Sequence, residues 1–245
     1  MAEIIEGRNP VIELLKAGRP INKILLDRNI KRHGTVADIL NLAKARNIPV
    51  EYVASDVIDR QSLTYASQGI IAYTATKEYM NLEDLFTISK EKSEPPLYCI
   101  LDGIEDPQNL GAILRTAEAT GVHGVIVRSR RAVGLTSLVA KASAGAVEYM
   151  PVVRVTNIAQ TIETLEKNNI WVIGIDMAGE LDYSKMDFKL PTAIVIGSEG
   201  KGLSALVRNR CDALAFIPMK GKITSLNASV ATAVVMYEAF RQRGN

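Results

Sequence analysis

Leu97-Tyr98-Cys99-Ile100-Leu101-Asp102-Gly103-Ile104-Glu105-Asp106-Pro107-Gln108-Asn109-Leu110-Gly111-Ala112-Ile113-Leu114-Arg115 changes its period part-way along. Leu97–Leu101 is apolar without a break, which suits a strand covered on both faces. From Asp106 the spacing becomes helical. Asp106 offers a capping carboxylate and Pro107 a pre-set first turn. Leu110, Ile113, Leu114 and Ala117 then form one stripe, and Gly121 stops the helix. A fully apolar strand followed by an amphipathic helix is the repeating unit of a parallel sheet.

The unit recurs downstream. Apolar runs at Gly124–Val127, Trp171–Ile175, Ala193–Ile196 and Ala213–Ile217 accompany helical patterns at Ile158–Leu165, Leu203–Arg208 and Val230–Phe240. This series predicts a doubly wound α/β sheet, in which ligands bind beyond the carboxyl ends of the strands. Upstream, a smaller α/β domain is expected. Val11, Leu14 and Leu15 share one helix face; Ile21–Leu26, Val50–Val53 and Ile70–Ala75 read as strands; Val36–Ala45 reads as a helix with Thr35 as its N-cap. After Leu82, Leu85 and Phe86, the run from Ile88 to Pro96 is charged and closed by two prolines, which is linker composition. The expected division is therefore 1–76, a linker at 77–96, and 97–245.

With 47% hydrophobic residues in 245, the chain has enough apolar surface for a core. A net charge of +2 excludes a polybasic tail but not local clusters. Lys16, Arg19, Lys23, Arg28, Lys31 and Arg32 form one cluster, opposed within that stretch only by Asp27; Arg128, Arg130 and Arg131 form another. Cys99 and Cys211 lie in apolar stretches without a nearby partner, so both read as buried free thiols in a reducing compartment. With only two His residues, no metal site is expected. No signal pattern opens the chain, and its apolar runs fall short of the roughly 18 residues of a membrane span. A cytoplasmic protein is the expectation.

Three polar motifs follow predicted strands. In the first, Asn109 stands in the opening turn of its helix. Arg115 points away from the buried stripe, either as an ordinary exposed arginine or as a planar fork for phosphate. The second, Ile196-Gly197-Ser198-Glu199-Gly200-Lys201-Gly202-Leu203, is neither a dinucleotide fingerprint nor a phosphate loop. Its glycines permit tight turns and close backbone approach. Glu199 suits either a ligand contact or a helix N-terminus. The third, Thr224-Ser225-Leu226-Asn227, precedes a strongly apolar helix. Ser225 or Asn227 would cap it, and free N–H groups there would also hold a polar ligand edge.

Taken in this order, the motifs resemble the three signatures of the SpoU (TrmH) branch of the SPOUT RNA methyltransferases. Gly7-Arg8-Asn9-Pro10-Val11 resembles the opening of that family's substrate-binding domain. The resemblance covers most of the chain. It implies a small ribosomal-protein-like substrate-binding domain, a parallel-sheet SPOUT domain with a deep trefoil knot, and a homodimer. It implies methyl transfer from S-adenosylmethionine to an RNA ribose 2′-hydroxyl, with no metal and no membrane. Asn109, Arg115, Glu199, Ser225 and Asn227 match its catalytic positions. Gly197, Ile217 and Leu226 match its cofactor contacts. The family arginine has been suggested as the base. A guanidinium, whose pKa lies above roughly 12, is a poor one. The role expected for Arg115 is to hold phosphate and stabilise the developing alkoxide. Within the family, the chain is most similar to the 23S rRNA guanosine-2′-O-methyltransferase (RlmB-like) subgroup, which makes a 23S rRNA guanosine the expected acceptor. The rivals are the same chemistry on tRNA and a non-catalytic RNA-binding ribosome-assembly factor. The joint presence of five matching polar residues weighs against the last. Ser67-Gln68-Gly69 stands where many relatives carry His-Gln-Gly, a departure that bears on which RNA is chosen.

Overall fold

The computed structural model describes residues 2–64 and 66–244. In chain order the first elements are β1 (Ala2–Glu6), α1 (Arg8–Lys16), β2 (Ile21–Asp27), α2 (Thr35–Ala45), β3 (Val50–Val53), α3 (Ser55–Gln61) and β4 (Ile70–Ala75). They are followed by α4 (Leu82–Glu91), β5 (Leu97–Asp102), α5 (Pro107–Ala119), β6 (Gly124–Arg128), α6 (Ser137–Ala142), β7 (Val152–Val155) and α7 (Ile158–Lys167). The last are β8 (Trp171–Ile175), β9 (Leu181–Asp182), β10 (Thr192–Gly197), α8 (Ala205–Arg208), β11 (Ala213–Phe216) and α9 (Ala228–Gln242). They divide into two units: Met1–Glu78 with Gly134–Tyr149, and Tyr79–Val133 with Met150–Asn245.

The first unit is a four-stranded mixed sheet in the order β1-β4-β2-β3. β4 runs antiparallel to β1 and β2, and β3 parallel to β2. The predicted α1 stripe of Val11, Leu14 and Leu15 is buried. Gly34, not Thr35, stands at the N-cap of α2, and Thr35 is its first helical residue. Residues 134–149, expected with the second domain, belong here. Two long-range ion pairs tie them in. Lys141 Nζ meets the buried Glu6 at 3.3 Å, and Arg19 meets Glu148 at 2.8 Å. Burial pushes the Glu6 carboxyl up, but the hydroxyls of Ser62 and Thr64, with Lys141, hold it below its ordinary value. No local periodicity announces such pairs, because each joins residues more than a hundred positions apart.

The second unit is a seven-stranded sheet in the order β7-β6-β5-β10-β8-β11-β9, parallel throughout. Its core includes Tyr98, Ile100, Ile126, Ile162 and Val195. β5 and β10 are neighbours, and Asp102 lies opposite Gly197 where both strands end. The first two sequence motifs thus leave the sheet side by side. β7, only four residues long, carries too little pattern to stand out in the sequence.

The expected linker at 77–96 is instead largely folded. α4 occupies Leu82–Glu91, with Asp84 Oδ2 accepting from the Asn81 N–H at 2.8 Å. Leu85 is fully buried in the sheet's core cluster, and its carbonyl accepts from the Tyr98 hydroxyl at 3.0 Å. The charges that read as linker are the outer face of this helix; one apolar stripe suffices to dock it.

Its exit is fastened twice. His123 accepts from the Leu97 N–H at 3.1 Å and bonds Glu94 at 3.1 Å. Arg243, just past α9, donates to the carbonyls of Phe188 at 2.9 Å, Pro96 at 3.0 Å and Leu190 at 3.1 Å, and also to that of Pro95. Arg243→Ala leaves four carbonyls short of a charged donor. We expect it to lower unfolding free energy by about 2–3 kcal/mol, the scale of bonds to a charged group. Urea unfolding checks this; an unmoved midpoint would reduce Arg243 to a surface contact. Among the described residues, no helix is long and apolar enough to cross a membrane.

Candidate active site

Three amide or carboxylate side chains meet where β5 and β10 end. Asn109 is held in the first turn of α5, whose N-cap Asp106 accepts from the Gln108 N–H at 2.9 Å. Asn109 Nδ2 donates to Glu199 Oε1 at 3.0 Å. Asn227 is the N-cap of α9, its Oδ1 accepting from the N–H groups of Ser229 at 3.0 Å and Val230 at 3.3 Å. Its Nδ2 donates to Asn109 Oδ1 at 2.9 Å and also to Glu199 Oε1. The Ala228 N–H completes the set on Glu199 Oε1 at 3.3 Å. One carboxylate oxygen therefore gathers three donors. The cap geometry expected of Asn227 is met, and the same residue joins Glu199 to Asn109.

Gly197 sets the path of the loop that carries Glu199. A Cβ there would lie 2.1 Å from the Gly202 carbonyl carbon and 2.4 Å from the Leu203 nitrogen. Ser198 and Gly202 exchange both backbone hydrogen bonds, at 3.1 and 2.9 Å, folding the turn back on itself. Only glycine admits that approach.

Beside this turn lies a cavity of about 570 Å³. Gly197, Ile217, Ser225 and Leu226 line it together with Glu199 and Asn227. Seven of the eight residues singled out from the sequence thus meet at one place, Asn109 through its bonds to Glu199 and Asn227. Arg115 does not. It is exposed, lines neither this cavity nor the neighbouring one, and its side chain has no ion pair or hydrogen bond among the described residues.

An ion pair on this wall was not anticipated. Asp176 and Arg208 pair at 2.8 Å, and the Arg208 Nε is buried without a partner. No motif marks them, since they sit on different elements and meet only in the folded sheet. The two thiols stay protonated. Burial raises the pKa of Cys99 strongly, and burial with nearby carboxylates pushes Cys211 up to about 12.

Residues 96–237 match the SpoU rRNA Methylase family, and residues 4–80 match the RNA 2′-O ribose methyltransferase substrate-binding domain. The chain belongs to the SpoU family of RNA methyltransferases. It is 47% identical over 241 residues to a Bacillus subtilis protein, YacO, assigned to the TrmH family of tRNA/rRNA methyltransferases, covering 98% of this chain and 96% of that one. Its fold is similar to the SpoU methyltransferase AviRb of Streptomyces viridochromogenes, solved with AdoMet, at TM-score 0.82 and 28% identity over 99% of this chain and 90% of AviRb. An AdoMet-bound rRNA methyltransferase of Sinorhizobium meliloti aligns at TM-score 0.78 and 27% identity, over 98% and 87% of the two chains. In this SpoU chain the trio joins residues of all three sequence motifs, Asn109, Glu199 and Asn227, beside the glycine turn.

Proposed function

We propose that the protein methylates the 2′-hydroxyl of an RNA ribose, S-adenosylmethionine being the donor and a guanosine of 23S rRNA the acceptor. The observation that carries this reading is the hydrogen-bonded trio of Asn109, Glu199 and Asn227 standing at the edge of the cavity by the glycine turn. The cavity's residues fit the donor. Ile196, Ile217 and Leu226 offer apolar walls for a flat base, and the unpartnered Nε of Arg208 suits a carboxylate. S-adenosylmethionine would supply there an electrophilic methyl group on a sulfonium. Glu199 orients the two asparagine amides, whose geometry is set before substrate arrives, so little reorganisation is needed at reaction. Ser225, on the same wall, is placed for the reacting hydroxyl.

In this reading the protein is a cytoplasmic homodimer. Val230 and Tyr237 on α9 are about half exposed, a poor arrangement for a helix facing water alone. Arg115 then serves the site of the second subunit, since it points into no cavity of its own. The knot expected of the family is part of the same proposal, with the turned-back loop after Gly197 as its tight passage. The N-terminal unit takes the RNA substrate-binding role, with catalysis in the unit built on the seven-stranded sheet. The alignment with the S. meliloti rRNA methyltransferase runs through both units, which favours rRNA over tRNA.

The basic cluster of the first unit is smaller than its sequence implies. Lys16 is paired with Glu13, Arg19 with Glu3 and Glu148, and Lys23 with Glu51. Arg28, Lys31 and Arg32 remain exposed, with Arg32 lying over the Tyr52 ring at 4.5 Å. Replacing these three together with Ala is expected to weaken RNA binding and flatten its salt dependence by about 2–3 in log–log slope. Binding titrations at several salt concentrations measure it. An unchanged slope would move RNA capture elsewhere.

The activity itself is tested with labelled S-adenosylmethionine and total RNA from a strain lacking the gene. Label at a 2′-O-methylguanosine of 23S rRNA is expected. Label confined to tRNA would overturn the acceptor, and no label on any RNA would overturn the activity.

A further inference from the structure

A second cavity, of about 450 Å³, adjoins the one assigned to the donor and shares Ser198, Glu199, Lys201 and Gly202 with it. Two reactants must meet, and Asn109 and Glu199 stand on the wall of this second space. Its charges are unevenly committed. Of its four carboxylates, Asp102 is taken by Arg128 at 2.9 Å and by the Ser204 N–H at 3.0 Å, Asp106 caps α5, and Glu199 holds its three donors. Only Glu105 is uncommitted among the described residues. Against it stand three cations. Arg128 is one-third exposed, so the buried Asp102 fixes one edge of its guanidinium and leaves the rest facing the cavity. Arg131 and Lys201 are exposed and make no ion pair among the described residues. Arg131 is also held at φ 54°, a left-handed conformation uncommon for a long side chain away from a helix end. The nearby Val133 N–H to Ile104 carbonyl bond, 3.1 Å, pins the loop that imposes it.

We propose that this cavity receives the target nucleotide, with Arg128, set by Asp102, and Arg131 gripping the phosphodiester beside the reacting ribose, and Lys201 adding charge at the shared wall. The inference rests on the reading of the protein as an RNA 2′-O-methyltransferase. A guanidinium fork braced by a buried carboxylate suits a phosphodiester, because its planar donors match two oxygens at once. The nucleotide's 2′-hydroxyl then lies toward Asn109 and Glu199.

The test compares Arg131→Ala, Arg128→Gln and Asp102→Asn in full-length protein, on the RNA that the wild type methylates. Steady-state kinetics at several salt concentrations are read alongside calorimetry with S-adenosylmethionine. Arg131→Ala should raise KM about tenfold, as expected for one lost charged contact. It should also lower the salt slope of KM by about 0.7–0.9. Arg128→Gln should do the same and reduce kcat as well. Asp102→Asn keeps the cation but frees it, so kcat should fall with the salt slope unchanged. Donor affinity should not move in any of the three. Asp102 is buried, but Arg131 is a surface side chain whose removal leaves the fold in place, so the comparison stands on it. Wild-type KM and salt slope in both arginine variants would overturn the proposal. So would loss of donor affinity, which would assign these cations to the other cavity. A wild type that methylates no RNA, seen before any variant is made, would remove the underlying reading and this proposal with it.

Discussion

Gly197→Ala is expected to lose at least about 100-fold in affinity for S-adenosylmethionine, a change of roughly 2.7 kcal/mol. The reason differs from simple filling of the ligand space. The added methyl carbon would sit 2.1–2.4 Å from backbone atoms of Gly202 and Leu203. No rotamer relieves a clash with backbone, so the turn must move. Glu199 moves with it, and its bonds to Asn109, Asn227 and Ala228 are strained together. Binding and turnover should fall in step, and Gly197→Val should be worse than Ala. The sheet ends at this residue, so the fold itself should survive with a modest loss of stability. Calorimetry with thermal unfolding on the same sample separates the two effects. A folded Gly197→Ala protein that bound the donor normally would sink the assignment of this turn to the donor site.

Arg115→Lys should cost on the order of 10²-fold in turnover, the scale for loss of one preorganised oxyanion donor. The charge survives, but the planar fork does not. Donor affinity should hold, because Arg115 lines neither cavity. Six residues separate it from Asn109 on α5, about 240° around the helix, so the two face different ways. That divergence makes a stronger test available. Arg115→Ala and Glu199→Ala subunits, each inactive alone, should recover activity when combined, with about half of the wild-type rate per mixed dimer, since each mixed dimer then holds one complete site of its two. No recovery in verified mixed dimers would put Arg115 to work within its own subunit, or return it to an ordinary exposed position.

The candidate site was legible in part for an identifiable reason. Asp106-Pro107, the glycines around Glu199 and the polar run before α9 are local signals, each dictated by a cap or a turn. They picked out Asn109, Glu199 and Asn227 singly. Their junction is not local, since Asn109 lies 90 residues from Glu199 and 118 from Asn227. Asp176, Arg208 and Asp102 carry no local signal at all and became visible only as partners. α4 shows the opposite failure. Its charged outer face outweighed the few apolar residues that dock it, so composition read as linker.

By itself the sequence determined which stretches are strands buried on both faces, which helices carry one apolar stripe, and where caps and turns interrupt them. Those properties follow from period and from backbone preference, and each is encoded within a few residues. The tertiary structure alone decided that β10 lies against β5 with Gly197 beside Asp102, that residues 134–149 join the first unit, and that half of the N-terminal basic cluster is neutralised. Strand order and charge pairing depend on which distant segments end up adjacent. Period states that a face is buried, and nothing in it states against what.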